Sequence, residues 1–290
     1  MRLVRNIMSI FLLSLFLAAC SSSPLENKKG LAVSAYFGDN EDWGSELSLQ
    51  ELWIFNSESG ELVHNASWND SRTLASNFLS LPQGSYMLVL GANLDQPLEI
   101  QGSGSAQTLA FSLDEASPFK VFSASTELNN YVPSRIVNVD MTLNRVMAEL
   151  TVELQGAPQD LELAVEAVNC AEAFFPAKKN DAGQWGLPSD NIRSITTSPM
   201  GLDSSLRSPI ISLMPTASGR EWSFFHLTMT TAEGIVLETF IEAPRMDAGA
   251  KYLMSLKYQE IQAFMHLSTC PISDWTEGWV YEGDIPNPVN

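Results

Sequence analysis

The groups able to do chemistry are few and widely spaced. His64, His226 and His266 are the chain's three histidines, and no two have the spacing that puts a pair of metal ligands on one helix face. There is no Gly-x-Ser-x-Gly elbow and no glycine loop to cradle phosphate. Asp39, Glu41 and Asp42 offer oxygens for calcium, but their spacing is not that of an EF-hand and reads as a solvated turn. Asp95, Asp114 and Glu115 are scattered and form no readable acid/base pair. These patterns argue against an enzyme, a resident metal and a cofactor. The seven tryptophans are Trp43, Trp53, Trp68, Trp185, Trp222, Trp275 and Trp279. Most read as core or hairpin residues, since aromatics favour strands. Trp185 lies in a long polar stretch and is the one candidate glycan contact.

The most informative reactive group is Cys20. Arg2 and Arg5 precede an apolar run from Ile7 to Phe16, and Leu17-Ala18-Ala19 leads into Cys20. A charged start, an apolar middle and small residues at the end make a secretory signal. The run is too short for a spanning helix, which needs about 20 apolar residues. Leu-Ala-Ala-Cys resembles the bacterial lipobox, in which the cysteine becomes a diacylated N-terminus. An ordinary signal with a chance cysteine is the alternative. Acyl chains such as palmitate anchor stably when two or more are present, each buried methylene contributing about 0.8 kcal/mol. Residues 1–19 are therefore read as the signal peptide and 20–30 as a lipidated tether. The tether, Ser21 to Gly30, is small, polar and basic.

Removing Arg2 and Arg5 with the signal takes the net charge from −18 to −20. So acidic a chain does not favour nucleic acid or anionic lipid head groups as partners, and no nucleic acid is expected. An apolar fraction of 45% with 17% charged residues fits a folded core. Cys170 and Cys270 are a hundred residues apart in an exported chain; they make no dense disulfide framework and read as two buried thiols, with pairing the alternative.

The elements that must carry these groups are strands. Leu31, Val33, Ala35 and Phe37 alternate with Ala32, Ser34 and Tyr36 at the period of a half-buried strand. Leu47 to Phe55 turns at Ser57-Glu58-Ser59-Gly60 into Glu61-Leu62-Val63, a hairpin pattern. Asn77–Leu81 and Tyr86–Leu90 read as a second pair around Pro82-Gln83-Gly84-Ser85. Thr108–Leu113 and Phe119–Ser123 are further short strands. In Val137–Leu154 the apolar residues sit on odd numbers to Leu143 and on even numbers from Val146. Either a β-bulge at Asn144-Arg145 takes up one residue, or the chain passes there into another sandwich. The second is taken, with the boundary near Asp140. Leu161–Ala167, Pro209–Met214, the hairpin Trp222–Met229 with Ile235–Ile241, Lys251–Tyr258 and Ile261–Leu267 follow. Lys178 to Ser208 reads as one long polar loop. Short strands at regular spacing predict an all-β chain of two sandwiches, residues 31–140 and 141–290.

Several pieces, in order, resemble the fimbrillin superfamily, in particular FimB-type anchor subunits of Bacteroidetes-type fimbriae. They are Leu52-Trp53-Ile54-Phe55 with Ser59-Gly60-Glu61-Leu62-Val63, and Leu81-Pro82-Gln83-Gly84-Ser85-Tyr86 running into Val89-Leu90-Gly91-Ala92-Asn93. Leu143-Asn144-Arg145-Val146-Met147-Ala148-Glu149-Leu150, Gly249-Ala250-Lys251-Tyr252 and Asp274-Trp275 complete the set. The resemblance implies two tandem transthyretin-like sandwiches in a structural fibre subunit at the outer membrane, on the cell surface. Other fimbrial subunits are its implied partners, met by strand addition, with Leu31, Val33, Ala35 and Phe37 as the candidate partner-binding strand. Shaft subunits of this kind are activated by a cut after an arginine that frees the first strand. Here no arginine stands between Cys20 and Arg72. The rival reading is a glycan-binding surface lipoprotein of a carbohydrate uptake system, and a host or glycan ligand fits either. Replacing Cys20 with Ala is expected to move the protein from the detergent phase to the aqueous phase on Triton X-114 partition. Continued partition with detergent would contradict the lipid anchor.

Overall fold

The computed structural model describes residues 29–38, 47–69, 78–116, 120–259 and 261, with the backbone of 270–274 and 280–283. The described residues are built mainly of strands, as the alternation predicts. The first half holds β1 (Gly30–Phe37), β2 (Gln50–Asn56), β3 (Leu62–Trp68), β4 (Phe78–Leu79), β5 (Gly84–Ala92), β6 (Leu98–Gln101), β7 (Ala110–Leu113), β8 (Phe122–Tyr131) and β9 (Ile136–Arg145). The second holds β10 (Ala148–Gln155), β11 (Glu162–Ala171), β12 (Ala173–Lys179), β13 (Trp185–Pro188), β14 (Ile192–Thr196), β15 (Met200–Gly201), β16 (Ile211–Leu213), β17 (Trp222–Thr230), β18 (Val236–Pro244), β19 (Lys251–Lys257), β20 (Cys270–Asp274) and β21 (Val280–Gly283).

Seven strands of the first half form a curled sheet in the order β3-β2-β5-β8-β9-β1-β4. Alternation explains the curl. Leu31 and Val33 of β1 and Met141 and Leu143 of β9 share one buried cluster with Leu52, Ile54, Leu88, Leu90 and Phe122 from the other limb. Phe37 meets Phe122 edge-on, with ring centroids 5.3 Å apart. β1 is parallel to β9 along its whole length, from Gly30 opposite Ile136 to Phe37 opposite Leu143, and antiparallel to β4 at Leu31 and Ala32. On the strand read as partner-binding, Leu31 and Val33 are buried, and Ala35 and Phe37 are half-buried against the same cluster.

β2 is apolar on both faces because both are covered. Leu52 and Ile54 face the inside of the curl, while Trp53 and Phe55 belong to a second cluster with Leu109 and Phe111. The Trp53 and Phe111 rings lie 5.9 Å apart. Strands buried on two sides lose strict alternation and read as continuous apolar runs, as Leu52-Trp53-Ile54-Phe55 does.

The two halves share a sheet. Its order is β13-β12-β7-β6, two strands from each half, with Ala173 opposite Ser112 and Phe174 opposite Phe111. The second cluster accordingly runs from Trp53 and Phe111 through Leu163 and Phe225 to Met254. It is enclosed in the second half by a sheet ordered β16-β10-β19-β20-β21 and another ordered β14-β11-β17-β18, with β15 beside β11.

The parity change at Asn144-Arg145 is a change of sheet. β9 ends at Arg145, and Val146-Met147 lead into β10 in another sheet. Leu143 is 1% exposed in the first cluster and Val146 0% in the second, so both are inside despite opposite parity. Asp140, where the boundary was expected, lies within β9. The crossing is held by the buried Glu149 carboxylate, 3.8 Å from Arg145 and 4.0 Å from Lys120.

Three expectations differ. Phe78–Leu79 does not pair with β5: it pairs with β1, because both edges of β5 are taken by β2 and β8. The strand expected at Phe119–Ser123, whose Phe119 lies outside the described residues, starts at Phe122 as β8 and runs on to Tyr131. The expected polar loop from Lys178 to Ser208 contains β13, β14 and β15, since Trp185, Leu187, Ile192 and Ile195 give it enough apolar side chains to pair. Gly186 makes this possible. Its φ is +98°, and a Cβ there would stand 2.4 Å from the Phe174 ring. Of Ile261–Leu267, the residues after Ile261 lie outside those described.

The shared core predicts one cooperative unit. Phe111→Ala is expected to cost about 3–5 kcal/mol and to shift a single denaturation transition seen by tryptophan emission and circular dichroism alike. Two separate transitions, with only one moved, would contradict it.

Candidate functional site

A cleft of about 1030 Å³ opens where β8 and β9 part. The two strands pair only at Phe122–Arg145 and Ser123–Asn144. Beyond that point β8 stays on β5 and β9 stays on β1, and the edges that would have met become two walls. Ser125 and Thr126 line one wall, and Asp140, Thr142 and Asn144 the other. The other edge of β9 is filled by β1. Towards the cleft, β9 has no ladder partner among the described residues between Ile136 and Leu143.

The third wall comes from the second half: Asn180, Asp181 and Gln184 in the β12–β13 turn, Trp185 on β13, and Arg245 and Asp247 after β18. The turn is fixed by Asn180, whose side-chain oxygen accepts from the Ala182 and Gln184 amides at 3.1 and 2.9 Å. Trp185 is half-buried. The Lys179 ammonium sits 4.2 Å from its ring centre and makes an ion pair with Glu127 at 3.0 Å, so one ring face is held by a cation–π contact. Arg245 donates to Asp247 at 3.0 Å. Hydroxyls, amides, guanidinium groups, carboxylates and one indole converge here. They suit binding of a polar, extended ligand or of a strand that completes the β9 edge.

The remaining sequence candidates are spread out. Trp53 is in the core, Trp68 packs against the first cluster and Trp222 is exposed on β17. His226 lies between Glu166 at 3.3 Å and Glu238 at 3.6 Å and stacks on Phe240. Among the described residues no group of three His, Cys, Asp or Glu is placed to hold a metal. Asp95 accepts from the Ser48 hydroxyl. Asp114 accepts from Arg193, which also pairs with Glu172 at 3.0 Å and so ties β14 to the end of β7. Cys20, the acids at 39, 41 and 42, His266, and Trp43, Trp275 and Trp279 lie outside the described residues. The cleft is not visible in the sequence because its polar alternations, Ser123-Ala124-Ser125 and Asn138, Asp140, Thr142, Asn144, look like ordinary solvated strand faces.

No family model matches the sequence, and no curated protein matches it. Solved structures do share the fold. One is the fimbrial anchor protein Mfa2 from Porphyromonas gingivalis, at TM-score 0.52 and 12% identity, covering 88% of this chain and 99% of that one. Another is a fimbrial assembly protein from Parabacteroides distasonis, at 0.51 and 9%, covering 87% and 98%. A third, from Bacteroides thetaiotaomicron, is described as a candidate polysaccharide-binding protein; it aligns at 0.53 and 12%, covering 88% and 98%. At these identities the likeness is one of fold.

Cys170 is a free thiol, and burial pushes its pKa up to about 12. The thiolate is the reactive form, so Cys170 should resist iodoacetamide at pH 8 in the folded protein and react fully in guanidinium. Peptide mass mapping reads this directly; rapid native labelling of Cys170 would contradict its packing.

Proposed function

We propose that this chain is a lipid-anchored structural subunit of a fimbria-like surface fibre, of the FimB anchor type. It holds or terminates the fibre at the outer membrane, through lipid on Cys20, and meets its neighbours by strand addition. In this reading the two halves are transthyretin-like sandwiches, the curled sheet being the first. The observation that carries the proposal is the match in fold to a fimbrial anchor protein over 99% of that protein's length. The position of β1 supports the terminal role. Leu31, Val33, Ala35 and Phe37 lie in a strand already paired with β9 and β4, and no arginine between Cys20 and Arg72 offers a site for its release. The edge of β9 that has no ladder partner among the described residues is then where a neighbour's strand adds, backbone bonds giving affinity and alternating side chains giving register.

The test is the state of the subunit in purified fibres. Its N-terminus is expected to be the blocked, acylated Cys20, with β1 retained and about one copy per fibre. Loss of residues 31–37, or many copies along the shaft, would overturn the proposal.

The second reading is a glycan-binding surface lipoprotein, favoured by Trp185 among the polar groups of the cleft. Under that reading Trp185→Ala abolishes retention on polysaccharide in affinity electrophoresis. Retention of the native protein that depends on Trp185 favours this reading; capture of other fimbrial subunits in a pulldown favours the anchor.

A further inference from the structure

The outer face of the sheet β14-β11-β17-β18 carries an unusual set of side chains. Sheet register assigns them. Trp222, Phe224, His226, Thr228 and Thr230 of β17 lie on the face, with Glu162 and Glu166 of β11 on one side and Glu238, Phe240 and Glu242 of β18 on the other. Trp222 is 38% exposed, Phe224 39% and Phe240 48%. Val236 on β18 and Ile192 on β14 are also exposed on it. Three exposed aromatic side chains grouped on one sheet face and rimmed by polar groups mark an interaction site.

The charges are one-sided. The positions facing outward on these four strands include four glutamates and no lysine or arginine. They form two rows flanking the aromatic row. Glu162 and Glu166 are four residues apart on one side, Glu238 and Glu242 four apart on the other, which is about 14 Å along a strand. The centre is fixed in advance: the His226 ring stacks on Phe240 at 4.3 Å and 4°, between Glu166 and Glu238. None of these residues lines the cleft.

We infer that this face docks a basic polypeptide segment of a partner protein, one in which arginine or lysine alternates with aliphatic residues. Aromatic faces attract guanidinium and ammonium groups within about 6 Å, and the flanking carboxylates complete their charge. The aliphatic residues cover Trp222, Phe224 and Val236. The net charge of −18 steers such a segment towards the protein. The inference stands apart from the fibre-anchor proposal, since it uses other residues and another sheet.

The test is fluorescence anisotropy of a labelled dodecapeptide of alternating arginine and valine, titrated with the full-length protein in detergent. Binding is expected to weaken steeply between about 50 and 300 mM NaCl. Phe224→Ser with Phe240→Ser should weaken it by about tenfold or more. Glu166→Gln with Glu238→Gln and Glu242→Gln should do the same and flatten the salt dependence. The equal charge change at the exposed Glu58, Glu61 and Glu99, each to Gln, should alter binding less than about twofold. Thermal melts of all three variants check that they fold. An aromatic variant that binds as the native protein does would overturn the inference. So would a control triple that loses as much as the face triple, or binding that is indifferent to salt and displaced by a neutral oligosaccharide.

Discussion

The antiparallel pairing of β7 with β12 is the contact on which the architecture depends. It joins Phe111 and Ser112 of the first half to Phe174 and Ala173 of the second. The pairing places the Phe111 ring under Trp53 and opens the first half's outer layer into the second half's core. Apolar side chains that would sit on the outside of a free-standing sandwich become interior residues. Arg193 adds an ion-pair tie across the same junction through Asp114 and Glu172. The buried Glu149, between Arg145 and Lys120, guards the other crossing; removing either cation would leave a carboxylate poorly compensated away from water.

The cleft follows from that junction. β8 is held by β5 and by side-chain contacts with the second half, including the Ser125 hydroxyl donating to the Pro176 carbonyl at 2.8 Å and the Lys179–Glu127 ion pair. β9 is held by β1 and must reach the crossing at Arg145. A hairpin whose two arms are drawn to different neighbours opens between them. The site is thus a consequence of topology as much as of the residues lining it.

Much of the strand pattern was legible in the sequence because burial on one face leaves a period of two. β1, the β2–β3 and β17–β18 hairpins, and β19 were readable for that reason. The parity change at Asn144-Arg145 was readable too, since Leu143 and Val146 cannot both be inside a single flat strand. What was not legible depends on partners far along the chain. Nothing local says that Phe78–Leu79 will pair with β1, or that β13 will form around Gly186 because Phe174 leaves no room for a side chain. Nor does a polar alternation reveal whether it faces bulk water or a cleft. Trp185 stands alone in a polar stretch, whereas Thr126, Thr142 and Asn144, which line the same cleft, come from positions that look unremarkable.

In the proposed assembly the first strand stays in its sheet while the opposite edge of β9 receives the neighbour. Hydrogen exchange, read peptide by peptide in the free subunit and in assembled fibres, tests it most directly. Residues 31–37 are expected to be protected equally in both states, and 136–143 to gain protection on assembly. Loss of protection or of mass over 31–37 in fibres, with 136–143 unchanged, would contradict it.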